Sequence, residues 1–122
     1  MKRTPLQRKT PLRAKQAHSH AIKKPKRSPA RLAARGQPCT LRLACCTNTG
    51  VVLCHLRQFG GGGMGIKPHD SEAVFACHAC HDAIDGRMQP APPWGYEDLA
   101  RALIRTLRAQ REAGVLIYRG EA

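Results

Sequence analysis

With 122 residues, two Phe, two Tyr, one Trp and a formal charge of +13, the chain can form one small domain with a thin core. No stretch approaches the roughly 18 apolar residues of a membrane span, which excludes a spanning helix. So small a core is expected to need a staple, either a metal or disulfides.

The charge is unevenly placed. Residues 1–36 hold twelve Lys/Arg and no acid, whereas residues 37–122 hold nine Lys/Arg against eight acids. Residues 1–36 are read as a basic, mostly disordered arm, because Pro5, Pro11, Pro25 and Pro29 interrupt any helical period. The arm also echoes itself, Arg3-Thr4-Pro5-Leu6 and Lys9-Thr10-Pro11-Leu12. Its cations Lys2, Arg3, Arg8, Lys9, Arg13, Lys23, Lys24, Lys26 and Arg27 are expected to neutralise nucleic-acid phosphates. His18 and His20 lie in this polar stretch and read as solvated. The competing reading of the arm is a tail that only confers solubility.

The domain is expected over residues 37–122. Thr40 to Cys46 is a short segment flanked by cysteines, and Thr47-Asn48-Thr49-Gly50 signals a turn. Val51-Val52-Leu53-Cys54 suits a buried strand that delivers His55 at its end. Gly60 to Gly65 is too glycine-rich for a helix and reads as a loop, with Lys67 just beyond it. Ala73 to Ala76 is a second strand or a helical lead-in, and Cys77 to about Asp85 a knuckle passing into a helix that Gly86 ends. Pro90, Pro92 and Pro93 mark a linker. Glu97 to Ala113 is the clearest helix, with Leu99, Leu103 and Leu107 at i, i+4, i+8 and Ile104 beside them. Val115 to Tyr118 reads as a terminal strand.

Six cysteines permit three disulfides, but Met1-Lys2-Arg3-Thr4-Pro5 leads into no apolar run of signal-peptide length. A cytoplasmic location is therefore expected, where thiols stay reduced and cysteine clusters hold metal. Cys77 and Cys80 form a C-x-x-C pair whose tight turn can aim both thiolates at one Zn2+. A second pair must come from Cys39, Cys45, Cys46 and Cys54. Adjacent Cys45 and Cys46 cannot easily both ligate, whereas Cys39 and Cys46 leave a closable span, and Cys54 reads as a small core residue. The same stretch with His81 matches the C-x-x-C-H of haem attachment. Haem is rejected, because that reading requires export and leaves Cys39, Cys46 and the basic arm unexplained.

His81 directly follows Cys80, and His81 and Asp85 stand i, i+4 on one helical face, a pairing able to hold a second divalent ion, Mg2+ or Mn2+. His55 at a strand end is a candidate general base for attack on a phosphodiester. Each histidine alone reads more readily as structural. Their order carries the argument: cysteine pair, strand, His, glycine loop, cysteine pair, His.

In that order, Cys39 to Arg87 resembles the HNH (ββα-metal) endonucleases and, more narrowly, small phage and prophage nucleases of the YbcO type. The matching residues are Cys39 to Arg42, Cys46, Val52-Leu53-Cys54-His55, Gly63 to Pro68 and Ala76 to Arg87, about 50 of 122 residues in all. The resemblance implies a small α+β domain, a zinc-stapled β-hairpin and helix, with a C-terminal helix appended. It makes His55 the base and His81 a ligand of the catalytic metal. Many such proteins carry an acid or His before the base; here Cys54 stands there, a poor Mg2+ ligand. In place of the middle Asn, His69 or Asp70 is expected to orient His55 or act as a ligand. The function implied is DNA hydrolysis in phage recombination or processing. A non-catalytic zinc module that binds DNA is the alternative, and a protein–protein adaptor explains the fewest of these residues.

Overall fold

The computed structural model describes residues 27–120. The arm cations Lys2, Arg3, Arg8, Lys9, Arg13, Lys23, Lys24 and Lys26, with His18 and His20, lie outside the described residues. The described residues form a small α+β fold: helix α1 (Pro29–Ala33), strand β1 (Val52–His55), a 3-10 turn (Arg57–Phe59), strand β2 (Ala73–Ala76), helix α2 (His78–Ile84) and helix α3 (Tyr96–Glu112). No helix among them is long and apolar enough to cross a membrane.

The two strands pair antiparallel, with Val52 opposite Ala76 and His55 opposite Ala73. All four residues of β2 are buried, because α2 and α3 both pack against it. Among the described residues Phe75 is the one aromatic ring of the buried core, which also holds Leu53, Leu56, Val74 and Leu99. So small an apolar core leaves much of the fold to polar ties. Thr40 N–H and Oγ1–H both donate to Phe75 O, while Phe75 N–H donates to Thr106 Oγ1 on α3. The two threonine hydroxyls also meet at 2.9 Å, so one fully buried knot joins the cysteine loop, the sheet and α3.

Three expectations change. Pro29 does not break a helix but begins one, since the N1 position has no need of an N–H. Ser28 caps α1, and Ala34 just beyond it is fully buried in the core, so ordered structure starts before residue 37. In α3 the buried stripe is Leu99, Ala102, Thr106 and Gln110, leaving Leu103 and Leu107 half-buried and Ile104 49% exposed. The Thr106 knot, absent from any apolar period, rotates the helix to that face. Finally, Val115 to Tyr118 forms no strand. The Val115 and Leu116 N–H groups both bond to Gln110 O and turn the chain back on α3 after Gly114 at φ +71°.

Candidate active site and metal centre

Cys39, Cys46, Cys77 and Cys80 converge, their four Sγ atoms all within 4.8 Å of one another. The long first span closes through Asn48, whose Oδ1 accepts the Cys39 N–H at 2.7 Å, and through a turn from Cys46 N–H to Leu43 O. The second pair is held by helix geometry. Cys77 is the N-cap of α2, and its Sγ accepts the Cys80 N–H, so both sulfurs lie at the first turn. The helix thus starts at His78, before Cys80, and His81 sits within it.

The set fits zinc. Tetrahedral Zn–S bonds of about 2.3 Å place sulfurs about 3.8 Å apart, and Cys46 and Cys77 are 3.8 Å apart. Burial pushes the Cys77 thiol up, but backbone hydrogen bonds from Cys80, Thr47 and Asn48 outweigh it and bring it down to about 6. Burial raises Cys46 and Cys80 instead. Cys54 lies outside the cluster, fully buried in β1, its thiol pushed up to about 12 by burial.

His55 stands at the end of β1 beside a groove of about 440 Å³. Its Nε2 lies 2.7 Å from Asp70 Oδ1. The other Asp70 oxygen accepts the Ser28 hydroxyl at 2.6 Å, and Arg31 Nε stands 3.8 Å from Oδ1. The Ser28 bond, then the His55 bond, holds the Asp70 carboxyl below its ordinary range, with Arg31 adding to the effect and burial opposing it. An ionised carboxylate only accepts, so His55 Nε2 donates this bond, and in the neutral form of the ring the lone pair lies on Nδ1.

The groove is also lined by His81 of α2, by Asp85 at its C-cap and by Arg27, Arg31, Arg35, Arg57, Lys67 and Arg87. His81 Nε2 and Asp85 Oδ2 are 3.0 Å apart, and Arg87 Nη2 reaches the same Asp85 oxygen at 3.2 Å. Burial lowers the His81 imidazole against the pull of Asp85, which favours the neutral ring. Among the described residues, His81 and Asp85 belong to no set of three close ligating side chains. One N and one O donor are two ligands that a divalent ion could share with water and phosphate oxygens.

His69, expected as a catalytic residue, turns away. It is exposed, and its Nδ1 meets Ser71 Oγ at 2.8 Å. Asp70 occupies the orienting position instead. Ser28 and Arg31 are not legible as site residues in the sequence, because both sit in the stretch that reads as the arm. The only local signal was Ser-Pro at residues 28–29, an N-cap followed by a proline at N1.

A family model described as "Putative nuclease YbcO" matches residues 28–115. Two relatives named "Putative nuclease YbcO", from Escherichia coli (strain K12), and "Putative nuclease ybcO", from Enterobacteria phage 82, are each 48% identical over 60 residues. Each match covers 47% of this chain and 62% of the relative, so it spans less than two thirds of their length. The solved "Structure of a putative bacteriophage protein from Escherichia coli str. K-12 substr. MG1655" superposes with a TM-score of 0.55 at 34% identity. That likeness covers 70% of this chain and 100% of the other.

Proposed function

This chain belongs to the family described as "Putative nuclease YbcO", and from that premise we propose that it is a metal-dependent HNH-type endonuclease hydrolysing phosphodiester bonds in DNA. Phage or prophage recombination or DNA processing in the host cytoplasm is the setting this reading implies. The observation that carries it is the shared groove: His55, tethered by Asp70, faces the same arginine-rich cleft as His81 and Asp85. The β1–β2 hairpin followed directly by α2 supports the HNH assignment.

In this reading His55 Nδ1 takes a proton from the attacking water while Asp70 holds the ring and stabilises the imidazolium that forms. His81 and Asp85 would hold Mg2+ or Mn2+. When bound, such an ion offsets charge on the scissile phosphate and on the leaving oxygen. Arg27, Arg31, Arg35 and Lys67 draw the backbone into the groove, and the remaining arm cations add affinity without sequence preference. His69 has no part. The four-cysteine zinc fixes the start of α2 and so the direction in which His81 points.

The test is nicking of supercoiled plasmid across Mg2+, Mn2+, Ni2+ and Zn2+, with His55→Ala beside the unaltered protein. The expected loss is about 10²–10⁴-fold, the usual contribution of a general base, with zinc content and melting temperature unchanged. Equal cleavage by His55→Ala would sink the assignment. The buried, un-ionised Cys54 favours a second reading, since it removes the ligand many HNH proteins carry beside the base. A non-catalytic zinc module would bind DNA with steep salt dependence and cut it with none of the four ions.

A further inference from the structure

Ser28 lies 42 positions before Asp70 in sequence, yet its hydroxyl is spent on that carboxylate. The bond is short, 2.6 Å, and it fills the Asp70 oxygen that His55 leaves open. The same hydroxyl accepts the Arg31 N–H at 3.3 Å as the cap of α1. One Ser oxygen thus ties helix start, carboxylate and histidine into a single relay. Ala34, fully buried one residue past α1, anchors the far end of the helix in the core.

We infer that Ser28 is a positioning residue for His55: it fixes the rotamer of Asp70, and Asp70 in turn fixes the ring and proton of His55. The inference rests on the nuclease reading only for its consequence on rate; the relay itself is a statement about the His55 ring. Without Ser28, the Asp70 carboxylate is free to swing towards Arg31, the cation already 3.8 Å from Oδ1. A swing of that kind lengthens the bond to Nε2 and lets the imidazole exchange tautomers. Only one tautomer presents a lone pair at Nδ1. The Ser28 hydroxyl, at the point where the basic arm enters the domain, is therefore part of what aligns the base. Arg31 and Arg35 on the same short segment line the groove, so the element that contacts the backbone also sets the base.

The test uses the full chain. Ser28→Gly removes the hydroxyl at a position where Gly is tolerated as a cap, and Ser28→Thr restores it. The expected result for Ser28→Gly is a fall in kcat of about tenfold, the low end for losing an outer-shell orienting partner. KM for plasmid DNA stays unchanged, and Ser28→Thr recovers the rate. On a His55→Ala background, Ser28→Gly adds no further loss. Independently of activity, long-range proton–nitrogen NMR should find His55 protonated at Nε2 in the unaltered protein and averaged between tautomers in Ser28→Gly. Ala30→Gly serves as control, since it weakens α1 without touching the hydroxyl and should keep both the rate and the ring signature. Unaltered kcat and ring signature in Ser28→Gly would overturn the inference. So would an equal loss in Ala30→Gly, which would make helix stability the cause. If His55→Ala nicks normally, the nuclease reading fails, while the NMR signature still decides the relay.

Discussion

Replacing Cys80 with serine places a hydroxyl where the fold brings four sulfurs within 4.8 Å of one another. Three of them, on Cys39, Cys77 and Cys80, belong to residues at most 2% exposed, so the cluster is also a substantial part of the core. A four-thiolate zinc site contributes about 10–16 kcal/mol of apparent binding free energy. A domain of this size has only about 5–15 kcal/mol of net stability, so the metal is expected to decide whether it folds at all. Removing one ligand should cost at least about 3–5 kcal/mol, which at about 4–8 °C per kcal/mol lowers the melting temperature by some 12–40 °C. A strong chelator should abolish the cooperative transition outright, and Zn2+ should restore it. The assay is far-UV circular dichroism against temperature, with zinc per chain measured by mass spectrometry in reducing buffer. Cys54→Ser supplies the control, because Cys54 is as buried as Cys80 but lies outside the cluster. It should cost about 1–3 kcal/mol for an unpaired buried hydroxyl while leaving one zinc per chain. A Cys80→Ser protein that keeps one zinc and the original melting temperature would refute the staple argument.

Two further outcomes follow from the geometry. Asp70 has a lowered carboxyl, held there by Ser28 and His55, so its contribution to stability is fully present above the ordinary carboxylate value near 3.8 and is lost as pH falls through the folded-state value. Asp70→Asn should therefore melt lower than the unaltered protein at pH 6, by about 1 kcal/mol, and the gap should close on acidification; a gap that widened with acid would contradict this sign. Thr106→Val keeps the shape of the side chain but leaves the buried Phe75 N–H and Thr40 hydroxyl one partner short. Denaturant titration should register a loss of about 1–3 kcal/mol with zinc content unchanged.

Much of the architecture was legible locally. Strand β1, the glycine loop, the knuckle and the long helix announce themselves through a β-branched run, glycine density, cysteine spacing and 3.6-residue periodicity, all properties of neighbouring residues, whereas Ala73 to Ala76 by itself left strand and helical lead-in open. The four-cysteine cluster was legible for a related reason. Two cysteine pairs, each closed by its own turn, need only the hairpin between them to bring them together, and the β1–β2 pairing does so. His55, His81 and Asp85 were equally visible, being fixed to a strand end and to one helix face.

The partners of those residues were not. Choosing between His69 and Asp70 depends on which of two adjacent side chains turns inward, and adjacent residues in an irregular segment point in different directions with no period to separate them. Ser28 reaches Asp70 across 42 positions, and Asp70 reaches His55 across 15. Nothing local encodes such contacts. The face of α3 differs from the expected one because apolar periodicity does not register a threonine buried for its hydrogen bonds, and Val115 to Tyr118 because β propensity does not register a turn that spends the Val115 and Leu116 N–H groups on Gln110 O. Sequence alone thus located the candidate side chains and the local turns that present them. Tertiary structure decided which groups orient them, because a hydrogen bond between distant residues exists only once the core has placed both ends.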